Sequence, residues 1–152
     1  MGKFLQGYFK PKNPDKYKGD VRNIIYRSSY ELKLMLYLDV HPDVMEWNAE
    51  EFFIPYISPI DGRPHRYFPD AYVKKRNKNG VIDKIVIEIK PESQTVPPKP
   101  KPKGKQTKRY LNEAKTWGIN SAKWEAAEEW CDRRGFKFII MTEKHLGIKN
   151  GK

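Results

Sequence analysis

The sequence predicts a single α/β domain in which helices flank a mixed sheet. Three observations predict it: the order of helical and strand patterns along the chain, the length of 152 residues and the 38% of hydrophobic residues. The patterns run helix, three or four strands, two helices, strand, helix, which is the order of an α/β sandwich with a mixed sheet. The length fits one domain, and the hydrophobic fraction supplies one modest core.

The first predicted helix covers residues 28–40. Ser28 is a favourable N-cap, and Glu31 follows three residues later, which is the capping-box pattern. Pro42 disfavours helical geometry at the residue before it, so the helix ends there. Upstream, residues 1–20 are basic and contain four aromatic side chains, which predicts an N-terminal arm that packs against the body of the domain.

Four runs of apolar and aromatic residues, each bounded by turn residues, predict strands. They cover residues 44–47, 52–57, 66–74 and 81–90. The segment 58–62 is a strong turn signal, and the segment 75–80 predicts a hairpin connection between the last two strands.

The segment after Pro91 differs in composition from the rest of the chain. Residues 92–107 are dominated by proline, lysine and glycine, so we expect a mobile basic loop outside the core. Gly118 separates two predicted helices. The remaining elements are these helices at 108–117 and 121–134, a strand at 136–141 and a short helix at 142–148, within a domain that covers residues 21–149.

The balance of charge favours a nucleic-acid partner. Thirty basic and 19 acidic residues give a net charge of +11, which suits a polyanion. A membrane-surface role would need a basic amphipathic helix, whereas the basic residues here fall mostly in loops and tails. No apolar run reaches the ~20 residues of a membrane helix, and no signal peptide is evident, so we expect a cytosolic protein. The single cysteine, Cys131, excludes an intramolecular disulfide.

The chemistry is predicted at the end of the fourth strand. Alternation of side chains puts Glu88 and Lys90 on one face, with Ile85, Ile87 and Ile89 on the other. A three-residue hairpin loop that ends at Gly80 would pair Asp70 with Glu88. A two-residue loop would pair Asp70 with Ile89 instead and turn it to the wrong face, unless a bulge corrected it.

Such a patch suits phosphodiester hydrolysis. Carboxylate oxygens are hard ligands for Mg²⁺ or Mn²⁺, which bind phosphate and lower the pKa of bound water. Lys90 would orient that water or stabilise the transition state. Each residue also has a plainer interpretation. Glu31 could serve only as a helix cap, Asp70 as a turn former, and Glu88 with Lys90 as an exposed salt bridge.

Pro69-Asp70 followed by Glu88-x-Lys90 matches the PD-(D/E)xK nuclease signature. In that superfamily a glutamate on the preceding helix often completes the metal site, and Glu31 matches that place. The chain more closely resembles the head completion nucleases of large contractile-tailed phages, and more distantly the related transposon endonucleases. The motifs that carry this resemblance are Tyr26-Arg27-Ser28-Ser29-Tyr30-Glu31, Arg66-Tyr67-Phe68-Pro69-Asp70, Ile87-Glu88-Ile89-Lys90-Pro91, the proline-rich loop, Lys123-Trp124-x-Ala126-Ala127, and Arg134-Gly135-x-Lys137-Phe138 leading to Thr142-Glu143.

The resemblance implies a restriction-endonuclease-like fold and cleavage of double-stranded DNA with one or two ions of Mg²⁺ or Mn²⁺. Asp70 and Glu88 would bind metal, Glu31 would bind a metal or act as a base, and Lys90 would position the attacking water. It also implies trimming of packaged DNA and completion of the phage head before tail joining. The partners would be head, portal or neck proteins. The place would be the host cytoplasm during assembly, followed by retention in the virion.

Six further residues are candidates around this centre. The DNA-binding candidates are Arg27, Lys105, Lys108 and Arg109, and the accessory candidates are Gln106 and Tyr110. The last two have the Gln-x-x-x-Tyr spacing found downstream of the lysine in some exonucleases of the superfamily. The basic residues could equally be solvated, in a loop that only confers solubility. Two other functions compete with catalysis: a structural assembly protein with a vestigial site, and a plain nucleic-acid-binding module.

Overall fold

The computed structural model describes residues 6–147. Within them, the main sheet has four strands in the order β3, β6, β7, β8. These strands are β3 (Val44–Asn48), β6 (Ala71–Arg76), β7 (Ile82–Ile89) and β8 (Lys137–Met141). The first three are antiparallel, and β8 runs parallel to β7, so the predicted mixed sheet is confirmed.

The β6–β7 hairpin has the register that places the site residues on one face. Ala71 pairs with Ile87 and Arg76 pairs with Ile82, which is the register of the three-residue loop. Gly80 has φ 77°, a left-handed conformation that glycine adopts at little cost. Continuing the register by one residue sets Asp70 opposite Glu88, as the sequence predicts.

The predicted strand 66–74 is wrong, because the chain bends at its centre. Two smaller two-stranded sheets accompany the main one. One joins β1 (Gly7–Tyr8) to β2 (Ile25–Tyr26), and the other joins β4 (Ile54–Ile57) to β5 (Pro64–Tyr67). Since β5 pairs with β4 and β6 pairs with β3, the run divides around Pro69, which has no amide hydrogen to donate to a ladder.

The two helices predicted around Gly118 are one continuous helix, α2 (Lys108–Arg134). Thr107 caps its first turn and Gly135 ends it in the left-handed conformation. Ser121, the first residue of the second predicted helix, is therefore an interior residue and not a cap. A glycine inside a helix costs only about 1 kcal/mol relative to alanine, which packing along the helix outweighs. Part of that packing is the edge-to-face contact between the rings of Trp117 and Trp124.

Helices cover both faces of the main sheet. The first face packs against α1 (Ser29–Val40), with Leu34, Leu38 and Ile87 in its core. The second face packs against α2, where Trp124 and Ala127 meet the β4–β5 sheet and β8. Each face thus has its own apolar cluster, and the end of β7 lies between them.

The N-terminal segment is bound to this body. Phe9 and Tyr17 are buried against Trp47, both with edge-on ring contacts. The buried carboxylate of Asp39 accepts hydrogen bonds from the backbone N–H groups of Lys12 and Asn13. These contacts tie the arm to α1 and β3.

The chain ends with α3 (Glu143–Leu146), capped by Thr142. The predicted helix 142–148 therefore begins where expected, and its last residue lies outside the described range. Across residues 6–147, no helix is both long and apolar enough to span a membrane.

Candidate active site

A small cavity opens where α1, the start of β6 and the end of β7 meet. It encloses about 160 Å³ and is lined by Ser28, Tyr30, Glu31, Asp70, Ile89, Lys90, Pro91 and Gln94. Three of the four predicted catalytic residues, Glu31, Asp70 and Lys90, therefore face one space. The fourth, Glu88, is 6% exposed and lies beside it.

Glu31 combines a capping role with a free carboxylate oxygen. Its backbone N–H donates to Ser28 Oγ at 3.1 Å, as the N-cap predicts. Its side chain reaches back, and Oε2 accepts the Arg27 backbone N–H at 2.8 Å. Burial raises the pKa of this carboxyl, and the charge of Glu50 adds to the rise against the Arg27 hydrogen bond. Glu31 thus contributes to the cap of α1, and its carboxylate also lines the cavity.

Asp70 sits between Pro69 and the first residue of β6. Its Oδ2 accepts the Ile89 N–H at 2.7 Å, so the side chain takes over a ladder position at the end of β7. Burial raises the pKa of this carboxyl well above its usual value, and the charges of Glu88 and Glu31 raise it further. The charged form of Asp70 is therefore disfavoured, and a bound cation would stabilise it.

Glu88 is held on both oxygens. Tyr67 donates its hydroxyl to Oε1 at 2.5 Å, and Lys90 Nζ lies 3.4 Å from Oε2. Burial and the charge of Glu88 raise the pKa of the Tyr67 phenol, so the phenol keeps its proton. The interpretation of Glu88 and Lys90 as an exposed salt bridge is wrong, because the two side chains are 8% and 25% exposed.

Glu50 is a site residue that sequence reasoning missed. A carboxylate oxygen of Glu50 and one from each of Glu31 and Asp70 all lie within 4.8 Å of one another. Glu50 follows β3 with φ 54°, a left-handed conformation that costs a non-glycine residue of order 1 kcal/mol or more. Arg27 Nη1 lies 2.6 Å from its Oε2.

Nothing in the sequence distinguishes Glu50 from its neighbour Glu51. The carboxylate of Glu51 accepts the Tyr17 hydroxyl at 2.6 Å and so serves the N-terminal arm. Glu50 has the left-handed backbone conformation, and its side chain contacts Arg27, which lies just before α1. We refer to Glu31, Glu50 and Asp70 as the acidic cluster.

The donor set of the acidic cluster fits a hard divalent cation. It offers three carboxylates at a spacing that one ion can bridge, with room in the adjoining cavity for water and a phosphate oxygen. Mg²⁺ and Mn²⁺ suit such oxygen ligands better than softer metals do. The Glu88 carboxylate lies outside this group of three, and Tyr67 and Lys90 bond to its oxygens.

The predicted DNA-binding residues lie in two places. Arg27 is beside the acidic cluster and pairs with Glu50. Lys105, Lys108 and Arg109 are exposed at the end of the loop and the start of α2, where Arg109 pairs with Glu113 at 3.6 Å.

The accessory candidates are not brought to the cavity. The side-chain amide of Gln106 bonds to the backbone of Lys101, and the Tyr110 N–H donates to the capping hydroxyl of Thr107. The Gln106 side chain therefore has a local role in the loop, and neither Gln106 nor Tyr110 lines the cavity.

The mixed sheet with helices on both faces is the restriction-endonuclease-like fold. The chain matches the family described as TnsA-like endonuclease N terminal over residues 41–143. It is also 40% identical over 149 residues to the head completion nuclease of Enterobacteria phage T4, covering 94% of this chain and 96% of that protein. The chain therefore belongs to the head completion nuclease family, within the TnsA-like endonucleases.

The extent of each match bears on the site. The TnsA-like region contains Asp70, Glu88 and Lys90 and begins after Glu31. The similarity to the phage protein runs over nearly the whole chain and so takes in α1 as well. The nuclease class and the fold predicted from the sequence are confirmed.

Proposed function

We propose that this chain is a divalent-metal-dependent DNA nuclease whose active site is the cavity at the acidic cluster. One observation carries the proposal: three carboxylates converge within 4.8 Å beside a lysine, at the surface of a chain with net charge +11. Clustered acids repel both one another and DNA phosphate unless a cation lies between them. The acidic cluster is therefore better suited to metal-dependent catalysis than to DNA binding alone.

Glu31, Glu50 and Asp70 would hold the ion, with Mg²⁺ or Mn²⁺ as the cation. When bound, the ion supplies charge stabilisation to the phosphate and an acidified water. This ligand set shares Glu31 and Asp70 with the one that the sequence predicts, and replaces Glu88 with Glu50. The raised pKa values of Asp70 and Glu31 support it, because a bound cation would favour their charged forms.

Lys90 is the residue of this chain placed to act on the reacting groups. It lines the cavity, and its ammonium can donate to a water or to a phosphate oxygen. Glu88 fixes the ammonium from one side at 3.4 Å, and Tyr67 fixes Glu88 in turn. In this account Glu88 positions the lysine, and it is not a metal ligand.

The substrate we propose is double-stranded DNA. Arg27, Lys105, Lys108 and Arg109 would contact its phosphates, because they combine exposure with proximity to the cavity or to the basic loop. Neutralising phosphates releases counterions, so binding should weaken steeply as salt rises. Truncating any one of these residues should lower the slope of log affinity against log salt concentration by about one phosphate contact.

We extend this to the biological role through the relative's name. A family member named for head completion supports trimming of packaged DNA and completion of the head before tail joining. Head, portal or neck proteins would then be partners, with the protein in the host cytoplasm during assembly and afterwards in the virion. Immunodetection of this chain on purified filled heads and on mature particles tests the location directly.

The activity test uses linear and circular duplex DNA with Mg²⁺, Mn²⁺ or chelator. Asp70→Asn and Lys90→Ala should abolish metal-dependent cleavage while the variants still bind DNA. Asp132→Asn and Lys78→Ala are matched controls, since both residues are exposed and lie outside the cavity. Cleavage of the circle would show endonuclease action, and cleavage of the linear form alone would show exonuclease action.

The competing function is a structural head-tail assembly protein with this fold and no catalysis. It would be supported if no metal produced cleavage. If Asp70→Asn and Lys90→Ala cleaved as well as the wild type, the active site would lie elsewhere in the chain. The physical argument against it is the electrostatic repulsion between three carboxylates that lie close together without a catalytic need.

A further inference from the structure

A second, larger cavity adjoins the acidic one. It encloses about 620 Å³ between the segment 93–99 and the first half of α2. Gln94 lines both cavities, so a ligand that reaches the acidic cluster can continue into the second space without leaving the protein surface. The volume is within the range of sites that bind small molecules, about 300–1,000 Å³.

The polar lining includes a largely buried amide. Asn120 is 8% exposed and lines the cavity. Its donor and acceptor sit side by side, as required to bond the edge of a nucleobase.

The same cavity has an aromatic wall and a basic rim. Trp117 lines it, and the edge-to-face contact with Trp124, 5.8 Å between centroids, fixes the orientation of its ring. Lys99 and Arg109 line the cavity as well. Arg109 pairs with Glu113 of the same lining at 3.6 Å, and this exposed pair can open to bind a backbone phosphate. An aromatic face, an amide and a guanidinium together match a single unstacked nucleotide better than a duplex.

We propose that this cavity binds an unpaired nucleotide of the DNA substrate next to the cleaved phosphate. The base would stack on Trp117 and bond to Asn120, while Arg109 holds the adjacent phosphate. The inference rests on the proposed nuclease function and deepens it. DNA with an unpaired nucleotide near the cut, as in an overhang or a gap, is then the preferred substrate over blunt duplex.

The test is DNA binding by fluorescence anisotropy in chelator, where no cleavage occurs. Three labelled duplexes share one paired sequence: a blunt form, a form with a single-stranded overhang, and a form whose overhang lacks its bases. The wild type should bind the base-bearing overhang roughly tenfold more tightly than the other two, since stacking one base is worth that order. Asn120→Leu and Trp117→Leu should remove this preference.

Charge effects are separated with Arg109→Ala and its matched control Lys115→Ala. Both remove one cation from α2, and Lys115 is exposed and does not line the cavity. Arg109→Ala should weaken binding of both overhangs, and Lys115→Ala should keep the ratio between them. If circular dichroism shows that Trp117→Leu is unfolded, Asn120→Leu alone decides the proposal. The deciding quantity is then its ratio of affinities for the base-bearing and the base-free overhang.

Equal affinity of the wild type for the base-bearing and the base-free overhang would overturn the proposal. So would a preference that survives in Asn120→Leu and in a folded Trp117→Leu. Failure of the nuclease proposal is recognised separately, by cleavage of the blunt duplex that does not respond to metal or to Asp70→Asn. Metal-dependent cleavage with no preference for an overhang would thus support the proposed nuclease function and refute nucleotide binding in the second cavity.

Discussion

The acidic cluster and the Glu88 carboxylate are neighbours, but they differ in how completely the protein bonds their oxygens. In the cluster, three carboxylates face one another and each is bonded through one oxygen, while burial raises the pKa of Glu31 and Asp70. Glu88 is more completely buried, yet Tyr67 and Lys90 bond to both of its oxygens.

The difference separates two uses of an acid in one site. A carboxylate whose bonds are complete within the chain is part of the framework, and here it sets the place of Lys90. A carboxylate short of partners is prepared for something that binds. The free energy of folding should therefore depend on Glu88, whereas metal affinity should depend on the cluster.

The largest expected effect on stability is that of Glu88→Ala. It leaves the Tyr67 hydroxyl and the Lys90 ammonium without their partner, so the free energy of unfolding should fall by about 2 kcal/mol. Urea denaturation in chelator measures it. The matched control Glu129→Ala breaks an exposed pair with Arg133 on α2 and should cost at most about 0.5 kcal/mol. Equal losses in the two variants would refute the framework role.

A smaller effect is expected for Tyr67→Phe, which removes only the hydroxyl that Glu88 accepts. The loss should be about 1–2 kcal/mol, because one oxygen of a buried carboxylate then lacks a donor. Tyr72→Phe is the comparison, since its hydroxyl donates to the less buried Glu46 at 3.1 Å and its loss should cost less. A cleavage rate that falls in Tyr67→Phe with unchanged DNA affinity would show that the effect reaches Lys90.

The smallest effect, and the one of opposite sign, is that of Asp70→Asn without metal. Because the folded-state pKa of Asp70 is raised above the usual 3.8, its protonated form is favoured by folding. The wild type should lose stability as pH rises from about 4 through the raised pKa, whereas Asp70→Asn should lose less. Melting temperatures between pH 4 and pH 8 in chelator check this, and a variant clearly less stable than wild type at pH 7 would contradict it.

Metal should reverse that order. Saturating Mg²⁺ stabilises a protein that binds it only when folded, so the wild type should gain melting temperature at pH 7. Asp70→Asn should gain little under the same conditions.

Local rules predicted most of the site. The capping pattern at Ser28 placed Glu31 on the first turn of α1, and Gly80 set the hairpin register that brings Asp70 opposite Glu88. Both depend on a few adjacent residues, and such features can be read from a sequence.

The errors came from contacts between distant segments. Gly118 does not end a helix here, because the packing of α2 on the β4–β5 sheet outweighs the local preference. Glu50 reaches the cluster only through a left-handed residue after β3. No local pattern predicts the role of Tyr67, since its bond to Glu88 joins two sheets. None of these three is encoded in a spacing or a period.

The most direct test of the central claim is Mn²⁺ affinity by isothermal titration calorimetry, on wild type, Glu50→Gln and Glu88→Gln. Loss of a ligand should weaken binding at least about tenfold in Glu50→Gln. Glu88→Gln should keep nearly the wild-type affinity, even where its cleavage rate falls. Wild-type affinity in Glu50→Gln, together with lost binding in Glu88→Gln, would contradict the account and make Glu88 the metal ligand.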